Sequence, residues 1–441
     1  MIPRPSLPPG PVLVVGLVRS GVAAALALRA HGAPVTGTDL RPVAPELRAR
    51  LESAGVIVRD GEDGLAALTG ARSVVKSPGV PQEAPVVVAA RRAGLPVIGE
   101  LELGWRLLPQ EFVAVTGSNG KTTTVELVGH IHREAGLPVV VAGNVGTALA
   151  SLAGTLDAET VVVCEASSFQ LEDTEAFAPE AAVLLNLTED HLDRHGTLDA
   201  YRAAKLQAFA RQPPGTLAVV PAGLALDDMG GAAERVTFGP GGDLAAGDGT
   251  LRWHGEPPMA AAEVRLRGPH NLENAMAAGA VCLGRGVPAN AVRAGLATFA
   301  GVAHRLEEVA RVDGVLYVND SKATNVAAAV VALQSFDGGV HVILGGRGKG
   351  SDYAPLAAAV AERAAAAYLI GETAAELHVA LAPAGVPLHV SGDLERALAA
   401  AHAAARPGET VLLAPACASY DQYTSFEQRG EHFRALVRAL V

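Results

Sequence analysis

Three times along the chain a short apolar run ends in a loop of small or polar residues and opens onto a helix-like stretch. PVLVVG (11–16) leads into a helical run ending near Arg29, and FVAVT (112–116) leads through GSNGKTT into another. GVLYVND (314–320) delivers Asn319 and Asp320 into a Ser-Lys loop. Further runs lie at APVTGTD (33–39), LPVVVAG (137–143), TVVVCE (160–165), AAVLLN (181–186), TLAVVP (216–221), VHVILGG (340–346), AAYLIG (366–371) and TVLLAP (410–415). Most are too apolar for a strand with one wet face; they predict parallel sheets covered by helices on both sides. A chain of 441 residues has room for about three domains. The expected fold class is α/β, with domains at 1–109, 110–302 and 303–441 and linkers near Pro109 and Ala303. The stretch 222–268, rich in Gly, Asp and Ala, reads as loops and short antiparallel strands, and HNLENAMAAGAVCLG (270–284) as a helix.

Composition narrows the function classes. A formal charge of −11 argues against a grip on nucleic acid, because phosphate backbones select basic surfaces. It leaves room for a nucleotide substrate, which needs only a local positive site. Cys164, Cys282 and Cys417 lie far apart with no C-x-x-C spacing, which fits a reducing compartment better than a disulfide or zinc framework. The opening MIPRPSLPPGP is broken by prolines and lacks the apolar segment of a signal peptide. No apolar run approaches the ~18 residues of a membrane span. The expectation is a soluble, cytoplasmic protein without membrane insertion.

TGSNGKTT (116–123) has the context of a phosphate loop, with an apolar strand before it and a helix after it, but not the spacing G-x-x-x-x-G-K-[ST]. The position five before Gly120 is Val115. Glycine permits the turns that aim the backbone N–H groups of Gly117, Asn119 and Gly120 inward, and a helix start near Thr122 adds its positive dipole end. Lys121 could then reach the β- and γ-phosphates and the Thr122 hydroxyl could ligate Mg²⁺. Possible partners sit at strand ends: Glu165 closes TVVVCE, and Asn186, Glu189, Asp190 and His191 follow AAVLL. Lys205 lies on the helix-like YRAAKLQAF. A carboxylate at the end of an apolar strand is costly without a cation nearby. Together these residues describe a polyphosphate–magnesium site. The opening βαβ unit carries G-L-V-R-S-G rather than G-x-G-x-x-G, so a dinucleotide site there stays open.

TGSNGKTT, GNVG, EASSFQLE, NLTEDHLDRH, YRAAK, GPHNLENAMAA, HRLE, NDSKATN and APACASYDQYTSFEQRG follow one another over residues 116–430. In this order they resemble the Mur ligases, and SSFQLE and CASYDQYTSFEQRG resemble the D-glutamate-adding members in particular. The resemblance implies a Rossmann-like UDP-binding domain, a central P-loop-type ATPase domain with a mostly parallel sheet, and a C-terminal Rossmann-like domain. It implies an ATP-dependent ligase of peptidoglycan precursor synthesis, a monomer, that adds D-glutamate to UDP-N-acetylmuramoyl-L-alanine through an acyl phosphate. Another Mur-type ligase or a folylpolyglutamate synthase shares the more general motifs. An NAD-dependent oxidoreductase and a nucleotide-binding regulatory module are the other classes weighed; the first leaves TGSNGKTT, Glu165 and Lys205 without a role.

By this resemblance Lys121, His191 and Lys205 are catalytic, and Gly117, Ser118, Asn119, Gly120, Thr122 and Thr123 join Lys121 around ATP. Asn271 and Asn274 lie on the adenine side, and Arg305 and Asp320 reach the phosphates and ribose. Two Mg²⁺ ions are implied, one held by Thr122 and Glu165, the other served by His191 and Lys205. A lysine cation cannot ligate a metal, so a carbamylated Lys205 is implied. The UDP-substrate falls to Arg19 and Ser20 in the first Gly turn, Asp39 and Arg41 after the second strand, and Ser77 and Gly79 at the end of a third, with Asn144 and Ser167 on the muramoyl side. Thr324 and Lys349 take one D-glutamate carboxylate, Ser419 and the backbone near Phe426 the other, with Lys322 close by. GGRGKGSDY departs from some relatives in carrying Arg347 where they have Asp.

Overall fold

In the computed structural model, residues 2–226, 228–254, 259–266 and 268–440 are described. The first sheet contains β1 (Val12–Val15), β2 (Val35–Asp39), β3 (Ile57–Asp60), β4 (Ser73–Lys76) and β5 (Val97–Gly99), all parallel, in the order β3-β2-β1-β4-β5. The second contains β6 (Phe112–Thr116), β7 (Val139–Gly143), β8 (Val161–Glu165), β9 (Ala181–Leu184), β10 (Leu217–Pro221) and β11 (Glu234–Phe238), again all parallel, in the order β11-β10-β9-β6-β8-β7. A small antiparallel sheet of β12 (Ala245–Gly247), β13 (Thr250–Arg252) and β14 (Met259–Ala260) follows. The last sheet holds β15 (Glu307–Val312), β16 (Val315–Asn319), β17 (Val340–Gly345), β18 (Ala364–Ile370), β19 (Leu388–Gly392) and β20 (Thr410–Leu413), in the order β15-β16-β20-β17-β18-β19 with only β15 antiparallel. The architecture is that of three α/β domains, and each large sheet has its own apolar core.

By contacts the chain divides into two compact units. Residues up to Val264 with Glu273–Ala297 form the first, which contains the first three sheets, and Arg265–Leu272 with Thr298–Val441 form the second. Within the first unit, buried charges join the first two large sheets. The Lys76 ammonium lies 2.7 Å from Asp173 Oδ2, and Glu102 accepts the backbone N–H groups of Glu175, Ala176 and Phe177. All three cysteines are buried and unbridged. Among the described residues no helix is long and apolar enough to cross a membrane.

In the three large sheets, five edge strands, β3, β5, β11, β15 and β19, lie outside the runs read from the sequence. Two expectations change accordingly. The strand that delivers Ser77 is the fourth of its sheet, not the third, because β3 precedes it. The stretch 222–268 contributes β11 to the parallel sheet as well as antiparallel strands.

The first Gly turn packs tightly. The helix Arg19–Ala30 starts so close to the end of β1 that a Cβ on Gly21 would collide with the Gly16 carbonyl oxygen. Backbone cannot retreat as a side chain can, so Gly21→Ala is expected to destabilise by about 3 kcal/mol. The measurement is the midpoint of the first urea unfolding transition; an unchanged midpoint would contradict the close packing.

Candidate active site

In the second sheet the phosphate-loop strand β6 lies between β8 and β9, so the residues at their carboxyl ends meet. This strand order, which no local pattern encodes, brings Glu165 and Asn186 to TGSNGKTT. The Thr122 hydroxyl donates to Glu165 Oε2 at 2.7 Å, and Asn144 Nδ2 donates to Oε1 at 3.0 Å, which fixes both carboxylate oxygens. Asn186 clamps the loop: its carbonyl accepts the Ser118 N–H at 3.1 Å, and its Oδ1 accepts the Asn119 N–H at 2.9 Å. The Asn119 N–H, expected to face phosphate, is thus taken by a side chain. Gly120 has φ 86°, and a Cβ there would collide with the Asn274 carboxamide, so Asn274 lies directly against the loop. The helix begins at Lys121, beside Thr122 and a nearly buried Thr123.

Two lysines converge on this loop. Lys121 Nζ donates to the carbonyls of Gly117 and Ser118 at 2.8 and 2.9 Å, and Lys205 Nζ donates to the same Gly117 carbonyl at 2.7 Å. Lys205 is 1% exposed, with its ammonium 4.4 Å from the Tyr201 ring centroid. Burial first, and then the Lys121 charge, bring its pKa down to about 7. Tyr201 itself donates to Ser118 Oγ, so the helix carrying Lys205 is tied to the loop. His191 has φ 52°, in the left-handed region that a bulky residue seldom occupies, and its half-exposed ring sits 4.8 Å from that of Phe169.

The carboxyl ends of β1 and β4, where the strand order of the first sheet reverses, open onto a cavity of about 740 Å³. Arg19, Ser20, Asp39, Arg41, Ser77, Gly79 and Asn144 all line it. Asp39 accepts the N–H groups of Leu17 and Arg41 at 2.7 and 2.9 Å, and Ser77 Oγ donates to the Gly16 carbonyl at 2.7 Å, so both residues shape the turn. Arg19 points away from the backbone and donates to the Asn144 carbonyl at 2.8 Å, which is how the turn accommodates its bulk. Ser167 is not among the lining residues; it caps the short helix Ser168–Leu171 in a capping box with Gln170.

In the second unit, β20 lies between β16 and β17, so three loops meet at their ends: 319–325, 345–349 and 414–419. These carry Lys322 and Thr324, Lys349, and Ser419. Lys322 Nζ lies 3.9 Å from the centroid of the Phe426 ring, and Ser419 is buried. Arg305 sits between two residues of positive φ, His304 (62°) and Leu306 (44°). Asp320, expected to reach the nucleotide, is buried beneath this bend and accepts the Leu306 N–H at 3.3 Å; burial raises its pKa to about 7. Asn271 also belongs to this unit and is largely buried. Arg347 pairs with Glu372 at 3.1 Å, and its backbone exchanges two hydrogen bonds with Ala418.

Three family models match the chain: a MurD-like N-terminal domain over residues 10–99, the Mur ligase middle domain over 115–282 and the Mur ligase glutamate ligase domain over 304–417. The chain belongs to the Mur ligases. It is 44% identical to the UDP-N-acetylmuramoylalanine–D-glutamate ligase of Acidobacterium capsulatum, covering 97% of this chain and 96% of the relative. It is 42% identical to the protein of that name from Koribacter versatilis, covering 97% of each. Among solved structures it is similar in fold to the UDP-N-acetylmuramate–alanine ligase of Thermotoga maritima, with TM-score 0.60 and 20% identity over 97% of this chain and 99% of the other. It is likewise similar to a MurF from Acinetobacter baumannii, with TM-score 0.59 and 20% identity over 92% and 90%.

This Mur ligase also uses residues to which the sequence reading gave no role. Arg194 lies 4.5 Å from the Phe169 ring centroid, donates to the carbonyls of Pro78 and Val80, and pairs with Glu172 at 2.7 Å, thereby joining the cavity wall to the short helix Leu192–His195 that follows His191. Arg429 is buried on the face of the helix Phe426–Arg438 that also buries Phe433 and Val437. A charge at helical spacing among apolar residues was its available signal.

Proposed function

We propose that this chain joins D-glutamate to UDP-N-acetylmuramoyl-L-alanine at the expense of ATP, as the D-glutamate-adding ligase of peptidoglycan precursor synthesis. The observation that carries the reading is the convergence of Lys121 and Lys205 on one carbonyl beside the Thr122–Glu165 pair. Two ammonium groups so placed repel each other, and an anion relieves the repulsion. ATP phosphates suit Lys121, and a carbamate suits Lys205.

The donors fit magnesium. A hydroxyl and a buried carboxylate are hard oxygen ligands, and Mg²⁺ commonly takes one or two such groups with water and phosphate oxygens completing the set. Among the described residues no cluster of three or more His, Cys, Asp or Glu is poised for a metal, so substrate oxygens would supply much of the coordination. Thr122 and Glu165 would hold one ion, and His191 with a carbamylated Lys205 would serve a second. Bound magnesium would supply charge neutralisation on the β- and γ-phosphates. A Lys205 pKa of about 7 leaves much of the amine neutral at neutral pH, so it can add CO₂ to give a carbamate and release a proton.

The reaction divides into two displacements. A carboxylate oxygen of the L-alanyl group attacks the γ-phosphorus, the bond to the β-phosphate oxygen breaks, and ADP leaves with the electron pair. The D-glutamate amine then attacks the acyl carbon, phosphate departs with the acyl oxygen, and the amine gives up a proton. Lys121 orients and neutralises the transferring phosphoryl group, and Asn274, packed on Gly120, shapes the nucleotide side of the loop. The UDP moiety occupies the cavity between β1 and β4. Arg305, which lies between two residues of positive φ, and Asn271 are the ATP-binding candidates that the second unit carries. Thr324 and Lys349 hold one glutamate carboxylate, Ser419 and the Phe426 backbone the other, and Lys322 adds positive charge.

With both carboxylates anchored, only the D-isomer aims its amine at the acyl phosphate. Phosphate release with ATP and UDP-N-acetylmuramoyl-L-alanine is expected to require D-glutamate, to fall strongly with D-aspartate and to be negligible with L-glutamate. The measurement is an amino-acid panel in a phosphate-release assay. Equal rates with D- and L-glutamate would overturn the assignment and favour a folylpolyglutamate-type activity.

A further inference from the structure

Arg429 is 1% exposed, yet every acceptor found for it among the described residues is a neutral oxygen. Nε donates to Ser321 Oγ at 3.0 Å, and Nη2 donates to the carbonyls of Ser321 and Cys417 at 3.0 and 3.2 Å. Nη1 reaches the Gly345 carbonyl at 3.5 Å. Ser321 Oγ passes the connection on by donating to the Phe426 carbonyl at 2.8 Å. One side chain thus touches the loops after β16, β20 and β17 and, through Ser321, the start of its own helix. These are the places assigned above to the acceptor: Lys322 and Thr324, Ser419, Lys349 and Phe426.

We infer that Arg429 is the positioning residue of the acceptor site, holding three strand-end loops in one arrangement and leaving its positive charge for an anionic amino acid. The inference rests on the acceptor assignment under the proposed function. Two physical points support it. A planar guanidinium offers five donors in fixed directions and can satisfy diverging carbonyls, which a lysine ammonium on a flexible stem cannot do in the same geometry. A buried cation bound only to neutral oxygens is poor value for stability, since an apolar side chain of similar volume would avoid its desolvation. No carboxylate hydrogen-bonds to it, so its donors meet no acid directly where a dicarboxylate is to be held, and Asp421 is the acid that attracts it from further off. Burial lowers its pKa to about 10, against the attraction of Asp421, so it remains a cation at neutral pH.

The test is steady-state kinetics of Arg429→Lys and Arg429→Met with each substrate varied in turn. The KM for D-glutamate is expected to rise about 20-fold in Arg429→Met, the loss of charge-assisted hydrogen bonds, and less in Arg429→Lys, which keeps the charge. The drop in kcat at saturating D-glutamate should be smaller than that rise, and the KM values for ATP and the UDP-substrate should stay within about twofold. A D-glutamate KM unchanged in a soluble variant, or all three KM values rising together, would overturn the inference. If Arg429→Met does not fold, Arg429→Lys decides by the same criteria; collapse of both would make Arg429 a folding residue and also overturn it. If the parent enzyme does not use D-glutamate, the proposed function fails on its own, and the comparison is made with the amino acid the parent does accept.

Discussion

Lys205→Met is expected to abolish ligation and, in CO₂-depleted buffer without substrates, to raise the melting temperature. Lys205 is buried, and the charge that acts on it most strongly is another lysine, Lys121, ahead of the opposing Asp190. Its pKa falls to about 7 from an ordinary 10.5, so the unfolded chain binds the proton more tightly than the folded one. The sign follows. Below pH 7 the penalty on folding is complete, between about 7 and 10.5 it fades, and above that range it is gone. Methionine occupies a similar volume without a charge, so the gain should be about 2 kcal/mol at pH 6, after allowance for the lost bond to Gly117, and should vanish near pH 10.5. Scanning calorimetry of parent and variant across that range measures it. A loss of stability at pH 6, or a gain independent of pH, would contradict the account. The catalytic half is separable: Lys205→Ala should regain some turnover when short carboxylic acids replace the missing carbamate, and full activity in Lys205→Arg would show that a fixed cation suffices.

Lys121→Ala should lower kcat by ~10²-fold or more, because a positioned charge on the transferring phosphoryl group acts mainly in the transition state. The helix Lys121–Glu134 should persist, since the lysine sits at its first position and alanine favours helix. A second consequence follows from the shared Gly117 carbonyl. Removing the Lys121 charge takes away one of the two causes that depress the Lys205 pKa, so Lys205 should be more protonated at neutral pH and carry less carbamate. Activity of the variant should therefore depend more steeply on added bicarbonate than that of the parent. Near-normal turnover in the folded variant would remove the phosphate-loop assignment; a lowered turnover with an unchanged bicarbonate response would remove only the coupling between the two lysines.

Much of the site was legible because its physics is local. Glycine at 117 and 120 signals a backbone that turns where a side chain would obstruct it, and both adopt positive φ. Glu165 at the end of VVVC had to be satisfied by something, and Thr122 and Asn144 satisfy it. The motifs give Ser419 and Lys349 roles; Arg429 stands in the same CASYDQYTSFEQRG run as Ser419, but the motif alone gives it none. Arg429 stands in a helix among Glu, Gln and Gly and looks like surface from its immediate neighbours. Its burial depends on segments 84 and 108 residues away in sequence.

By itself the sequence determined the central strands, the glycine turn after β6 and the family. A central strand is buried on both faces, so its own residues are nearly all apolar, as in β6, β9, β16 and β17, whose residues are all buried. The tertiary structure alone decided the edges. β3 alternates exposed and half-buried residues, and β19 is largely exposed, because an edge strand is specified by the neighbour it pairs with and has little core to face. The same distinction governs the chemistry. Lys205 lies in YRAAK, a stretch any exposed helix could contain; only the packing of that helix against the loop after β6 excludes water from the amine and sets it beside Lys121. Charge state depends on solvent and neighbouring charge, and both are supplied by segments far apart in the chain.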